Sequence, residues 1–92
     1  MLERLELESF LTLAEELHFG RTARRLDISR TRVSQTILGL ERRLGAQLFE
    51  RTSRTVDLTL VGRQLYEDLL PAYRMMTAAV ERARADRASG AA

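Results

Sequence analysis

Leu7, Phe10, Leu11, Ala14 and Leu17 recur at spacings of three and four, the stripe of a helix that buries one side. They predict a first helix over about Glu3 to Leu17, with Glu3 and Glu6 in the first turn, where the helix dipole favours acids. Gly20 interrupts the pattern and permits a turn. A second, short helix follows over about Arg21 to Leu26, with Ala23 and Leu26 facing inward and the small Ala23 allowing close packing. Asp27-Ile28-Ser29 then reads as a polar turn, with Ile28 plugging the core and Ser29 placed to cap a third helix. At about 100° per residue, Val33, Ile37, Leu40 and Leu44 share a narrow arc, the expected buried face, and Gly45 suits the end of that helix.

Beyond Gly45 the periodicity changes. Gln47 to Arg51 and Val56 to Thr59 each have the length of a short strand, and the polar tip Thr52-Ser53-Arg54-Thr55 joins them into a small hairpin. Thr59 caps a long helix over about Leu60 to Ala88, with Pro71 inside it as a local bend. Leu65, Leu69, Ala72, Met76, Ala79 and Ala83 alternate spacings of four and three, a heptad seam, and Tyr66, Tyr73 and Val80 make a second stripe beside it. A helix of this length cannot bury both stripes on a three-helix core, so one is expected to face a second copy of the chain. The fold predicted is mainly α: a winged helix-turn-helix of three helices and a two-stranded wing over 1–59, a dimerisation or linker helix over 60–88, and a disordered tail over 89–92.

Charge sharpens this picture. The net charge is only +2, but residues 1–19 carry one Arg against five acids, residues 20–63 ten Arg against four, and residues 64–92 four of each. Positive charge therefore concentrates in the helix-turn-helix and wing, as on a surface that meets a polyanion. All fifteen basic residues are Arg, which suits bidentate phosphate and guanine contacts and equally reflects a GC-rich genome. The outer arc of the third helix holds Thr31, Ser34, Gln35, Leu38 and Arg42, with Arg30 at its margin. Such groups match base edges in a major groove: Arg30 for guanine, Gln35 for adenine, and Leu38 or the Thr31 methyl for a thymine methyl.

The run Leu40-Glu41-x-x-Leu44-Gly45-x-x-Leu48-Phe49-x-Arg51, with Leu58-Thr59-x-x-Gly62 beyond it, resembles the N-terminal DNA-binding part of a LysR-type transcriptional regulator. The likeness extends from about Leu2 to Arg87. It implies a third helix, about 29–44, in the major groove and a wing, 52–55, on the minor groove or backbone. By position it implies base contacts from Arg30, Thr31, Ser34 and Gln35, and phosphate or minor-groove contacts from Ser29, Arg32, Arg51 and Arg54. It also implies antiparallel pairing of the linker helix in a homodimer, hence a dyad-symmetric DNA site. A small-molecule effector would act only through a further domain, so the 92 residues read as a DNA-binding fragment. Arg30 stands where the family often has Gln, Gln35 where it often has Arg, and Leu38 where it often has a basic residue. The docking mode carries over and the identity of the bases does not.

Other classes fare worse. The chain has no cysteine and a single histidine, His18, which rules out thiolate zinc sites and multi-histidine metal sites. Glu15-Glu16 and Glu67-Asp68 are neighbours that point apart on a helix, and no glycine-rich phosphate loop is present. We therefore expect no enzyme activity, cofactor or metal. The N-terminus lacks the pattern of a signal peptide and no apolar run approaches membrane-spanning length, so the expected setting is the bacterial cytoplasm, on the nucleoid when bound. The alternative is a helical dimerisation module that docks protein and not DNA. It accounts for the seam but not for the arginines of the third helix and wing.

Overall fold

A computed structural model describes residues 2–88; the tail predicted at 89–92 lies outside them. The order is α1 (Arg4–Glu16), α2 (Phe19–Leu26), α3 (Arg30–Leu44), β1 (Phe49–Arg51), β2 (Val56–Leu58) and α4 (Leu60–Ala88). The fold is the mainly α winged helix-turn-helix that the residue pattern predicts. Phe10 and Leu13 of α1, Val33, Ile37 and Leu40 of α3, and Leu48 and Phe49 entering the wing are fully buried. The Phe10 and Phe49 rings lie 5.7 Å apart at a tilt of 59°, a pairing worth about 0.5–1.5 kcal/mol beyond its buried area. The wing therefore belongs to the core and does not hang from it.

The first break falls earlier than Gly20. Leu17 adopts the left-handed conformation with φ 50°, which costs a branched residue about 1–2 kcal/mol, and its side chain packs against the core. His18 then caps α2: its Nδ1 accepts the Arg21 N–H at 3.0 Å. Gly20 is thus inside a helix, and it is small for a different reason. A Cβ there would lie 2.9 Å from the His18 ring, so the glycine makes room for the cap. Arg21 and Arg25 pair with Glu15 and Glu16 to close α2 onto the end of α1, and the Arg21 and Arg25 guanidinium groups hold the Glu16 carboxyl below its ordinary range.

α3 begins and ends as predicted. Ser29 Oγ accepts the Arg32 N–H at 3.0 Å, and Gly45 takes φ 70° while its N–H reaches the Glu41 carbonyl at 2.9 Å. Its buried face needs one correction. Leu44 is 48% exposed, because the last turn of α3 runs past the core; the residue buried beside Leu40 is Glu41.

The strands are shorter than predicted, three residues each, antiparallel, with Phe49 opposite Leu58 and Arg51 opposite Val56. Gln47 and Thr59 lie outside the ladder but still join the two arms, since Thr59 Oγ donates to the Gln47 carbonyl at 2.7 Å. Thr59 Oγ also accepts the Gly62 N–H at 3.0 Å and so caps α4. At Gly62 a Cβ would fall 2.1 Å from the Leu48 carbonyl oxygen; only glycine lets the helix start so close to the wing.

The 29 residues of α4 span about 43 Å at 1.5 Å per residue, against 25 and 19 Å for the shorter dimensions of the molecule. Its stripes divide along the helix and not around it. Leu65, Tyr66, Leu69, Leu70 and Tyr73 pack against the core, whereas Met76, Ala79, Val80 and Ala83 are exposed. Pro71 sits within α4 without ending it.

Candidate nucleic-acid interface

The first turn of α3 departs from ordinary helix design. Acids belong at the positive end of the helix dipole, yet its first and third residues are Arg30 and Arg32, and the first turn holds no acid. Both arginines are exposed and, among the described residues, neither has a carboxylate partner. Arg4, Arg21, Arg25, Arg43, Arg51 and Arg84 are ion-paired. Arg24, Arg42 and Arg54, like Arg30 and Arg32, have no carboxylate partner among the described residues. What sets Arg30 and Arg32 apart is their place in the first turn of α3. Two free cations at the positive end of a dipole disfavour the isolated helix and favour an anion beside it.

The rest of that surface fits the same reading. Thr31, Gln35, Leu38 and Arg42 are exposed and Ser34 is half-buried, all on the side of α3 away from Val33, Ile37 and Leu40. Ser29 is exposed too, although its hydroxyl is engaged by the cap. Leu38, 42% exposed, puts an apolar group among polar ones, as a contact to a thymine methyl would require.

At the wing, the two arginines predicted to act alike are placed differently. Arg54 is exposed at a tip whose backbone is already ordered: Thr52 Oγ accepts the N–H groups of Arg54 and Thr55 at 3.1 and 2.9 Å. Arg51 turns inward. Its Nη2 donates to Glu41 Oε1 at 3.1 Å and its guanidinium carbon lies 5.5 Å from the centre of the Phe19 ring. Glu41 is the residue that sequence reasoning missed. It entered only as a letter of the motif, although its place one turn after Ile37, beside a buried leucine, marks a carboxylate that needs internal partners.

The seam predicted on α4 is likewise split. Leu65 and Leu69 are half-buried against the core, while Ala72, Met76, Ala79 and Ala83 are exposed. Ala72, Met76 and Val80 of α4 and Leu7, Leu40 and Leu44 of α1 and α3 line an apolar groove of about 1030 Å³. Ala79 and Ala83 do not line it.

A three-helix core with a short wing and an outward polar helix bearing unpaired cations defines a winged helix-turn-helix DNA-binding domain. Residues 5–63 match the family described as bacterial regulatory helix-turn-helix protein, lysR family, and the chain belongs to that family. It is 45% identical over 82 residues to the uncharacterized HTH-type transcriptional regulator YnfL of Escherichia coli K12, covering 89% of this chain and 28% of that protein. It is 46% identical over 79 residues to the HTH-type transcriptional regulator IlvR of Caulobacter vibrioides, covering 86% of this chain and 27% of that one. The chain thus spans little more than a quarter of these relatives. Among solved structures, the complex of the BenM DNA-binding domain with catB site 1 DNA superposes with a TM-score of 0.87 at 32% identity, covering 99% of this chain and 97% of that one. The CbnR DNA-binding domain in its DNA complex gives 0.82 at 29% identity, covering 94% and 99%. The family is one of transcription regulators and not of enzymes.

Proposed function

We propose that this chain reads double-stranded DNA in a sequence-specific way, as a homodimer, within a bacterial transcription regulator that works in the cytoplasm on the nucleoid. The observation that carries the reading is the pair of exposed arginines, without a carboxylate partner among the described residues, at the positive end of α3, next to Thr31, Ser34 and Gln35. With α3 in the major groove, Arg30, Thr31, Ser34 and Gln35 meet base edges. Ser29, Arg32 and the wing-tip Arg54 meet phosphates or the adjacent minor groove. Residues 1–59 then form the reading unit and 60–88 the linker that pairs two copies.

The homodimer rests on the overhang of α4. Met76 and Val80 are 52% and 45% exposed and border the apolar groove together with Leu44. An antiparallel α4 from a second copy covers that groove, with Ala72 in its lining and the exposed Ala79 and Ala83 beside it leaving room for the helix backbones to approach. Two-fold symmetry then requires a dyad DNA site. In a protein of its relatives' length, response to a small-molecule effector belongs to residues beyond this segment.

Selecting bound sequences from a random duplex pool tests the reading. The expected product is an inverted repeat with fixed spacing. Enrichment of single half-sites would remove the dimer, and failure to enrich any sequence would remove base-specific reading.

A further inference from the structure

Arg51 sits at a three-way junction. Glu41 lies near the end of α3, and its Oε2 accepts the N–H groups of Leu48 and Phe49 at 2.7 and 3.2 Å, where the chain enters β1. Its Oε1 accepts from Arg51, the last residue of β1. A single carboxylate on the recognition helix is therefore tied to both ends of one wing strand. The Phe19 ring under the guanidinium adds α2 to the same contact. We propose that Glu41 and Arg51 form a lock that fixes the wing relative to α3, and that Arg51 is a positioning residue for DNA recognition, acting through Arg54 and touching no phosphate itself.

Three features carry this. The Arg51 side chain is 27% exposed and its partner Glu41 10%, so a phosphate would have to displace a largely desolvated carboxylate to reach it. The ladder itself is only three residue pairs long, too short to hold an angle on its own. Arg54 lies three residues beyond Arg51, on a tip ordered by Thr52, so the direction in which β1 leaves α3 decides where Arg54 arrives. The DNA half of the proposal rests on the reading above; the lock itself does not.

The two roles for Arg51 give opposite signs for Glu41→Gln. As a restrained phosphate ligand, Arg51 would be released and duplex affinity would rise. As half of a lock, it loses its partner and site-specific affinity falls. In the free 92-residue chain, hydrogen exchange at the Leu48, Phe49 and Thr52 amides should speed up at least about tenfold in Glu41→Gln, Arg51→Ala and Arg51→Lys, with Phe10 and Leu13 unchanged. Wild-type exchange at the wing in Arg51→Ala would overturn the lock without any DNA present.

On a duplex selected by the wild-type chain, Arg54→Ala should flatten the dependence of log K on log salt by about 0.9 per protomer bound. Arg51→Ala should weaken binding about five- to tenfold at unchanged salt slope, and add less than about twofold once Arg54 is already Ala. A lowered slope for Arg51→Ala, additive losses in the double variant, or full affinity in Arg51→Lys would each overturn the positioning role. A wild-type chain without duplex affinity would sink the DNA reading and leave the exchange measurement to decide the lock.

Discussion

α3 and the outer half of α4 each leave one face uncovered, and the two faces are opposite in kind. On α3 the open side is cationic and hydrogen-bonding: Arg30, Thr31, Arg32, Ser34 and Gln35, with Leu38 the one large apolar group. On α4 beyond Tyr73 the open side is Met76, Ala79, Val80 and Ala83. Both helices are amphipathic, and each spends one face on the same small core. The cationic face of α3 suits a polyanion, and the outer face of α4 suits an apolar surface. The core is covered by the time α4 reaches Tyr73, and the apolar residues past that point stay exposed.

The largest effect should come from charging the apolar face. Met76→Arg is expected to convert dimer to monomer in sedimentation equilibrium and to weaken binding to a dyad about 100-fold or more through lost bivalency, with far-UV dichroism unchanged. A variant that still dimerises would move the interface elsewhere. Next, Gln35→Ala should lose about 1–3 kcal/mol of discrimination at one base step. Equal losses on all duplexes would make the polar face of α3 a backbone surface and not a reader.

Gly39 separates the two faces in a different way. A Cβ there would meet nothing within 4 Å, so Gly39→Ala should stabilise the chain by about 0.8–1 kcal/mol, read as a higher Tm. A loss of DNA affinity or of the dimer would mean that another molecule approaches the backbone at this point. The smallest expected effect is on the side that needs no partner. The Glu3 N–H, opposed by burial and then aided by Arg43, holds the Glu6 carboxyl below its ordinary value. Because the folded pKa is the lower one, this stability is present above the unfolded pKa and fades as pH falls through the folded one. Glu6→Gln should therefore lower Tm modestly near neutrality and flatten its decline in acid.

Local signals carried most of the architecture. Ser29, Gly45 and Thr59 mark their boundaries through backbone chemistry that involves only neighbours in the chain, and all three act as their positions imply. The heptad spacing of α4 was equally plain, but spacing says which side of a helix is apolar and not how far the core reaches along it. For the same reason Leu44 read as buried: it lies on the correct arc, one turn too far out. The start of α2 was missed because histidine is an uncommon cap, and a glycine two residues on is the more familiar breaker. On the interface, Arg30, Thr31, Ser34 and Gln35 could be placed on one side of α3 from periodicity alone. Arg51 could not be assigned a different role from Arg54, since both are arginines of one short hairpin and only the packing of Glu41 against the wing turns Arg51 inward.

In the proposed function, the exposed cations of α3 and the wing meet phosphates. A salt titration of the 92-residue chain on a duplex of arbitrary sequence tests it most directly. With Arg32 and Arg54 of two protomers against phosphates, log K should fall against log salt with a slope of about −4. A slope near zero, or no duplex affinity even at low salt, would contradict the account and leave α4 and its apolar groove as the working surface of the molecule.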